Sequence, residues 1–289
     1  MRVLASALSP LTRGRAAGTH YSSSSLFPFV AGVDGVGQLD DGRRVYFLLP
    51  RAPFGGMAEE TVAPEDHCLP LPEGLDDMTA AAIANPGMSS WAALTERARF
   101  KAGESVLING ATGASGQLAV QIAKHKGARR IVATGRDRET LAALQALGAD
   151  AIIPLSEDAD ALEAAFREEF AKGIDVVLDY LWGMSAERLL IAGAKSSADG
   201  VPLRFIQIGN ASGANISLPG AVLRSSAIEL MGSGIGSVPL GRLIAAIGAM
   251  LEAAVAGGFS LATETMPLAD LDRGWNAGDR RRIVFIPNG

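Results

Sequence analysis

From about residue 104 the chain alternates short apolar runs with amphipathic stretches, and that alternation restricts it to one class of architecture. The runs are Val106-Leu107-Ile108, Ile131 to Thr134, Ala151 to Leu155, Ile174 to Asp179, Phe205 to Ile208 and Ile228 to Met231. They are short and flanked by turn residues, as strands buried on both faces are. Helical patterns intervene: Leu118 to Lys126, stopped by Gly127, then Arg138 to Leu147, Asp160 to Phe170 and Ser185 to Lys195. Six apolar strands with crossover helices predict an α/β fold, a doubly wound parallel sheet with ligand at the carboxyl ends of its strands.

Between the first strand and its helix stands Gly110-Ala111-Thr112-Gly113-Ala114-Ser115-Gly116. Strand, glycine turn and helix follow in the order a dinucleotide site requires. Gly110 permits the tight turn, Gly113 lets the backbone approach a pyrophosphate, and Gly116 lets helix and strand pack closely. Ala114 and Ser115 open the helix, where free N–H groups and the helix dipole favour phosphate. The second strand ends in Gly135-Arg136 rather than in a carboxylate. A guanidinium there fits a 2′-phosphate, so NADP(H) is expected over NAD(H). Asp137 reads as the N-cap of the helix that follows. By position, Tyr180, Gly209, Asn210 and Ser233 stand after the fourth, fifth and sixth strands, where ribose and nicotinamide pass. Asp179 reads as a local acceptor.

Residues 1–84 differ in style. They are rich in Gly, Pro and Ser, with extended runs at Phe29-Val30-Ala31 and Arg44 to Leu48 and a turn signal at Asp40-Asp41-Gly42. The tail after residue 258 resumes that style and ends in Arg282 to Ile286. The simplest arrangement is a β domain made from both chain ends, 1–84 and 258–289, with a nucleotide domain at 85–257 inserted and a helix from Pro239 to Ala256 bridging them. A net charge of −5 argues against nucleic acid, and the Arg129, Arg130, Arg136 and Arg138 cluster suits a phosphate better than a duplex. The longest apolar stretches, such as Leu243 to Leu251, fall short of the ~20 residues a membrane span needs. One cysteine, Cys68, excludes an internal disulfide and suggests a reducing, cytoplasmic setting. With three histidines and His67 adjacent to Cys68, no metal site is expected. Trp91 and Trp275 read as packing residues, and Arg280-Arg281-Arg282 as a solvated basic turn.

In order along the chain, Gly32-Val33-Asp34-Gly35-Val36-Gly37, Asn85-Pro86-Gly87-Met88-Ser89-Ser90-Trp91, Gly110 to Gly116, Leu147-Gly148-Ala149-Asp150, Val177-Leu178-Asp179-Tyr180 and Ile206-Gln207-Ile208-Gly209 resemble the medium-chain dehydrogenase/reductase superfamily. The resemblance is to its zinc-independent, quinone-oxidoreductase-like members. It implies a Rossmann domain inserted in a GroES-like β domain, with the active site in the cleft between them. Val33 stands where zinc-dependent relatives place a histidine. Tyr21, beside His20, falls where the resembling reductases place an aromatic residue at the cleft, so its hydroxyl is the candidate for orienting a carbonyl. A homodimer through the edge strand near Ile228 is also implied. Relatives begin with further strands before a segment like Val3 to Pro10, so the chain is expected to start inside the β domain. Its Arg- and Ser-rich beginning then belongs to the folded body rather than to a transit peptide. Without a metal, the economical chemistry is hydride transfer from NADPH to a small electron-poor acceptor, a quinone or an activated α,β-unsaturated carbonyl. The alternatives are an aldehyde or alcohol oxidoreductase and a catalytically silent NADPH-binding protein.

Overall fold

The computed structural model describes residues 1–23, 26–278 and 281–287. It divides into two compact units, Met1–Met88 with Leu243–Gly289, and Ser89–Arg242. The chain enters the first unit through β1 (Arg2–Ala7), α1 (Pro10–Ala16), β2 (Asp34–Gln38), β3 (Arg44–Leu48) and β4 (Cys68–Pro70), and α2 (Asp77–Ala92) carries it onward. The second unit holds β5 (Ser105–Asn109), α3 (Ala114–His125), β6 (Arg130–Gly135), α4 (Arg138–Leu147), β7 (Ala151–Pro154), α5 (Ala159–Phe170), β8 (Val176–Asp179), α6 (Gly183–Ser196), β9 (Leu203–Gln207), α7 (Gly220–Arg224) and β10 (Ile228–Gly232). The return to the first unit runs through α8 (Leu240–Gly257), β11 (Thr263–Pro267), α9 (Leu271–Trp275) and β12 (Arg282–Ile286). The sequence-based boundary at 84/85 lies inside α2, and that at 257/258 follows α8.

In the first unit the strand order is β11-β12-β1-β2-β3-β4, so both ends of the chain build one sheet. β1 pairs antiparallel with β12 on one side and β2 on the other. Val36, Tyr46, Phe47 and Phe285 are wholly buried in this unit. Among them Asp34 is buried too, and Tyr46 donates its hydroxyl to the Asp34 carboxylate at 2.6 Å. Burial pushes that carboxyl above its usual range, against the opposing pull of Tyr46, Arg282 and Asn85.

Three sequence expectations change here. Phe29-Val30-Ala31 forms no strand; the loop is held by Val30 donating to the Pro53 carbonyl and Met57 to that of Ala31. α1 was not foreseen, although Ser9 caps it by accepting from the Thr12 amide at 2.9 Å and Pro10 fits its first turn. Arg282 is buried in β12 rather than solvated, while Arg281 is exposed and Arg280 lies outside the described residues.

The second unit's sheet is parallel throughout, in the order β10-β9-β8-β5-β6-β7, with the order reversing on either side of β5. Leu107, Val132, Val177 and Phe205 from the strands pack with Leu162, Phe166, Phe170 and Leu189 from α5 and α6. Helix starts are fixed by local chemistry: Asp137 Oδ1 accepts from the Thr140 amide at 2.7 Å to cap α4, and Asp158 caps α5.

α8 corrects the expected apolar length. Its 18 residues have a mean hydropathy of 1.6 and are long and apolar enough to cross a membrane by length and composition. One face, carrying Leu243, Ile247, Met250, Leu251 and Ala254, is nevertheless buried, while Val255 is exposed.

Candidate site at the carboxyl ends of the parallel sheet

The turn between β5 and α3 is built so that little but backbone faces outward. Gly110 has φ +89°, a conformation that L side chains rarely adopt. A Cβ on Gly116 would lie 2.5 Å from Ala111 Cα and closer still to the Gly110 carbonyl oxygen, so glycine is required for helix and strand to touch. Gly113 differs from both. Its φ of −76° and ψ of 164° suit any residue, and an added Cβ would meet only the Gly110 oxygen, at 3.8 Å. Packing therefore gives no reason for glycine at 113. No side chain caps α3, and its first-turn amides at Ala114, Ser115 and Gly116 precede the first i to i−4 bond, from Gln117 to Gly113 at 2.9 Å.

Beneath the turn runs a buried polar chain that no periodicity announced. The Gly110 amide donates to Thr134 Oγ1 at 3.1 Å, Thr134 donates to Asn109 Oδ1 at 2.7 Å, and Asn109 Nδ2 donates to Asp179 Oδ1 at 2.8 Å and Ser185 Oγ at 2.9 Å. These groups come from the ends of β5, β6 and β8 and the start of α6. Asp179 also accepts from the amides of Leu181 and Trp182 at 3.1 and 3.2 Å, acting as the local acceptor expected of it. Burial pushes its carboxyl up to about 6, against the lowering effect of those donors. The bend it holds is strained: Trp182 has φ +59° and ψ −159°, a region nearly restricted to glycine, at a cost of about 1–3 kcal/mol.

The other candidates fall as follows. Arg136 is exposed after β6 and makes no ion pair or hydrogen bond among the described residues. Gly135 is glycine for packing, because a Cβ there would collide with the Thr112 side chain. Tyr180 turns its hydroxyl to Ser90 Oγ at 2.8 Å, and Ser90 donates to the Ser115 carbonyl at 3.2 Å. Burial raises the Tyr180 phenol to about 12. Its hydroxyl thus holds the end of β8 to α2, and Ser90 in turn ties α2 to the start of α3. A Cβ on Gly209 would lie 2.7 Å from the Tyr180 carbonyl oxygen; Asn210 is exposed, and Ser233 is buried just past β10. Trp91 carries the Lys126 ammonium 3.4 Å from its ring centre, and Trp275 packs in the first unit's core.

In the first unit, Tyr21 is 72% exposed with its ring 4.2 Å from that of His20. The His20 imidazole, bonded to Ser22, is held below its usual range by burial and by the nearby Arg15 charge. Among the described residues no group of three or more His, Cys, Asp or Glu could hold a metal ion. Cys68 Sγ lies 3.4 Å from the Pro64 carbonyl, His67 Nδ1 lies 3.2 Å from that of Leu48, and Val33 is buried.

Comparisons with known proteins agree with this layout. A family model described as zinc-binding dehydrogenase matches residues 114–249. A probable NADPH-dependent quinone reductase of Emericella nidulans is 27% identical over 99% of this chain and 91% of its own length. The quinone oxidoreductase of Rattus norvegicus is 31% identical over 63% of this chain and 56% of that protein. The solved structure of the quinone oxidoreductase from Thermus thermophilus superimposes with a TM-score of 0.79 at 28% identity, covering 99% of this chain and 90% of that one.

Proposed function

We propose, from the premise that this chain belongs to the quinone-oxidoreductase-like medium-chain dehydrogenase/reductases, that it is an NADPH-dependent oxidoreductase acting without zinc on a quinone or an activated α,β-unsaturated carbonyl. The second unit is then the Rossmann domain and the first the GroES-like β domain. The observation that carries the cofactor reading is the pairing of an open backbone at Gly113 with an exposed Arg136, unpaired among the described residues, after the neighbouring strand. The amides of Ala114 and Ser115 would hold the pyrophosphate and Arg136 the 2′-phosphate. Tyr180, Gly209, Asn210 and Ser233 would line the path of ribose and nicotinamide. When bound, NADPH supplies the hydride.

An enone or quinone is electron-poor enough that positioning and one donor near its oxygen suffice. Tyr21, whose exposed hydroxyl makes no hydrogen bond among the described residues, is the group we assign to that oxygen. The donor set argues against zinc: Val33 offers no ligand, and His67 and Cys68 face backbone carbonyls. A homodimer is assigned to β10, an edge strand on which Glu229 and Leu230 are exposed.

The deciding experiment measures NADPH and NADH binding by calorimetry, then NADPH consumption with quinones, enones and aldehydes. Preferential NADPH binding with turnover of the first two classes is expected. Binding without any turnover would leave a silent nucleotide-binding protein, and absence of binding would sink the enzyme reading.

A further inference from the structure

One recess within the first unit combines features that packing alone does not explain. Leu26, Phe29, Val30, Val33, Leu49 and Phe54 supply most of its wall, and the cavity measures about 60 Å³. That is several times the ~10–15 Å³ a single water needs, so it can seat a small apolar group. Apolar side chains also stand in solvent at its rim: Leu26 is 65% exposed and Phe54 47%. Apolar side chains gathered around a recess are what a ligand-binding groove presents.

Arg15 is the only charged residue among those lining the recess. It sits half-buried on α1 and makes no hydrogen bond or ion pair among the described residues. Arg13, two residues earlier on the same helix, shows the ordinary alternative, donating to the carbonyls of Trp275 and Ala277 at 3.0 and 3.4 Å. Thr12, the other polar lining side chain, lies 2.9 Å from Ser9 Oγ and is already engaged. The titratable neighbour whose charge Arg15 perturbs is His20, which Arg15 helps to keep neutral. The recess therefore presents a greasy wall and a cation with no counter-charge among the described residues. A ligand with an apolar body and an anionic end would satisfy both.

We propose that this recess binds a small ligand with an apolar body and a carboxylate or similar anionic group held by Arg15. The recess and its charge stand apart from the oxidoreductase reading. Tyr21 is not among the lining residues, so Arg15 rather than Tyr21 sets this preference.

The test uses unreactive probes: a saturated aryl ketone bearing a para-carboxylate, and its methyl ester, titrated calorimetrically into the full chain. The carboxylate is expected to bind about tenfold more tightly than the ester. Arg15→Gln should abolish the difference, Arg15→Lys should retain part of it, and added salt should shrink it. NADPH affinity in Arg15→Gln, measured in parallel, should match that of the unaltered protein. Equal affinity of the two probes, or an unchanged preference in Arg15→Gln, overturns the proposal whether or not NADPH is oxidised. A clear preference with no NADPH binding keeps the anion-tipped ligand and overturns the oxidoreductase reading instead.

Discussion

Gly113 and Gly116 lie three residues apart in one motif, yet the structure predicts opposite consequences for the same substitution. In Gly116→Ala the new methyl would lie 2.5 Å from Ala111 Cα and 2.8 Å from its carbonyl carbon, and nearer still to the Gly110 oxygen. None of these is the end of a flexible side chain, so α3 must lift from β5. Overpacking of this kind costs about 3 kcal/mol, which for a unit of this size lowers Tm by roughly 6–12 °C. In Gly113→Ala the methyl meets nothing closer than 3.8 Å. Reduced freedom of the unfolded chain offsets the weaker N-cap, leaving stability within about 1 kcal/mol. The same methyl would occupy the space offered to a pyrophosphate, so NADPH affinity should fall by at least about tenfold. Scanning calorimetry and NADPH titration on both variants separate the effects. If Gly113→Ala melts as early as Gly116→Ala, or binds NADPH like the parent, the division of labour between the two glycines is wrong.

Three further outcomes follow from the same structure. Arg136→Ala should weaken NADPH binding about tenfold while leaving NADH nearly unchanged; equal losses would refute its role with the 2′-phosphate. For Asp179, burial raises the folded carboxyl from 3.8 to about 6, so between those pH values the folded protein keeps a proton that the unfolded chain has released. Stability from this group therefore falls as pH rises through that window, by up to about 3 kcal/mol, and is level above it. Asp179→Asn should flatten that part of the melting profile, and an unaltered slope would show that the proton resides elsewhere. Tyr46→Phe strips a 2.6 Å donor from buried Asp34 and should cost about 2 kcal/mol near neutral pH and less in acid, where the carboxyl is protonated. Denaturant titrations at the two pH values check the difference.

Much of the second unit was legible because its signals are local. Apolar runs of four to six residues, Asp137 as a cap and Gly148 after Leu147 specify where β6 and α4 begin and stop, and α4 spans the residues expected of it. Arg44–Leu48 and Arg282–Ile286 were readable for the same reason. What stayed hidden depends on which polar side chains turn inward. Asn109, Thr134, Asp179 and Ser185 meet across separations of 25, 70 and 76 residues; Thr134 and Asp179 stood at the ends of apolar runs, but nothing in the sequence named the partners they find. Arg282 looked like one member of a basic run, yet its strand carries it toward Asp34, far away in sequence. Phe29-Val30-Ala31 misled in the other direction: Phe29 and Val30 serve a recess wall and Ala31 packs on the unit's core, none of them in a ladder. The Gly113 position was legible only as a motif member; the openness of its neighbourhood emerges only once the chain is folded.

The contact between Gly135 and Thr112 bears on anyone wishing to retune the nucleotide preference. The residue that would read the extra phosphate follows a position locked against a threonine methyl, so variation at 135 must be accompanied by a smaller group at 112. Arg136 itself, projecting beyond that lock, can be exchanged without a compensating change. On the role proposed for Arg136, selectivity would be detachable from the scaffold at one side chain, and a library confined to that codon should recover folded variants at nearly every substitution, whereas one at its predecessor should not.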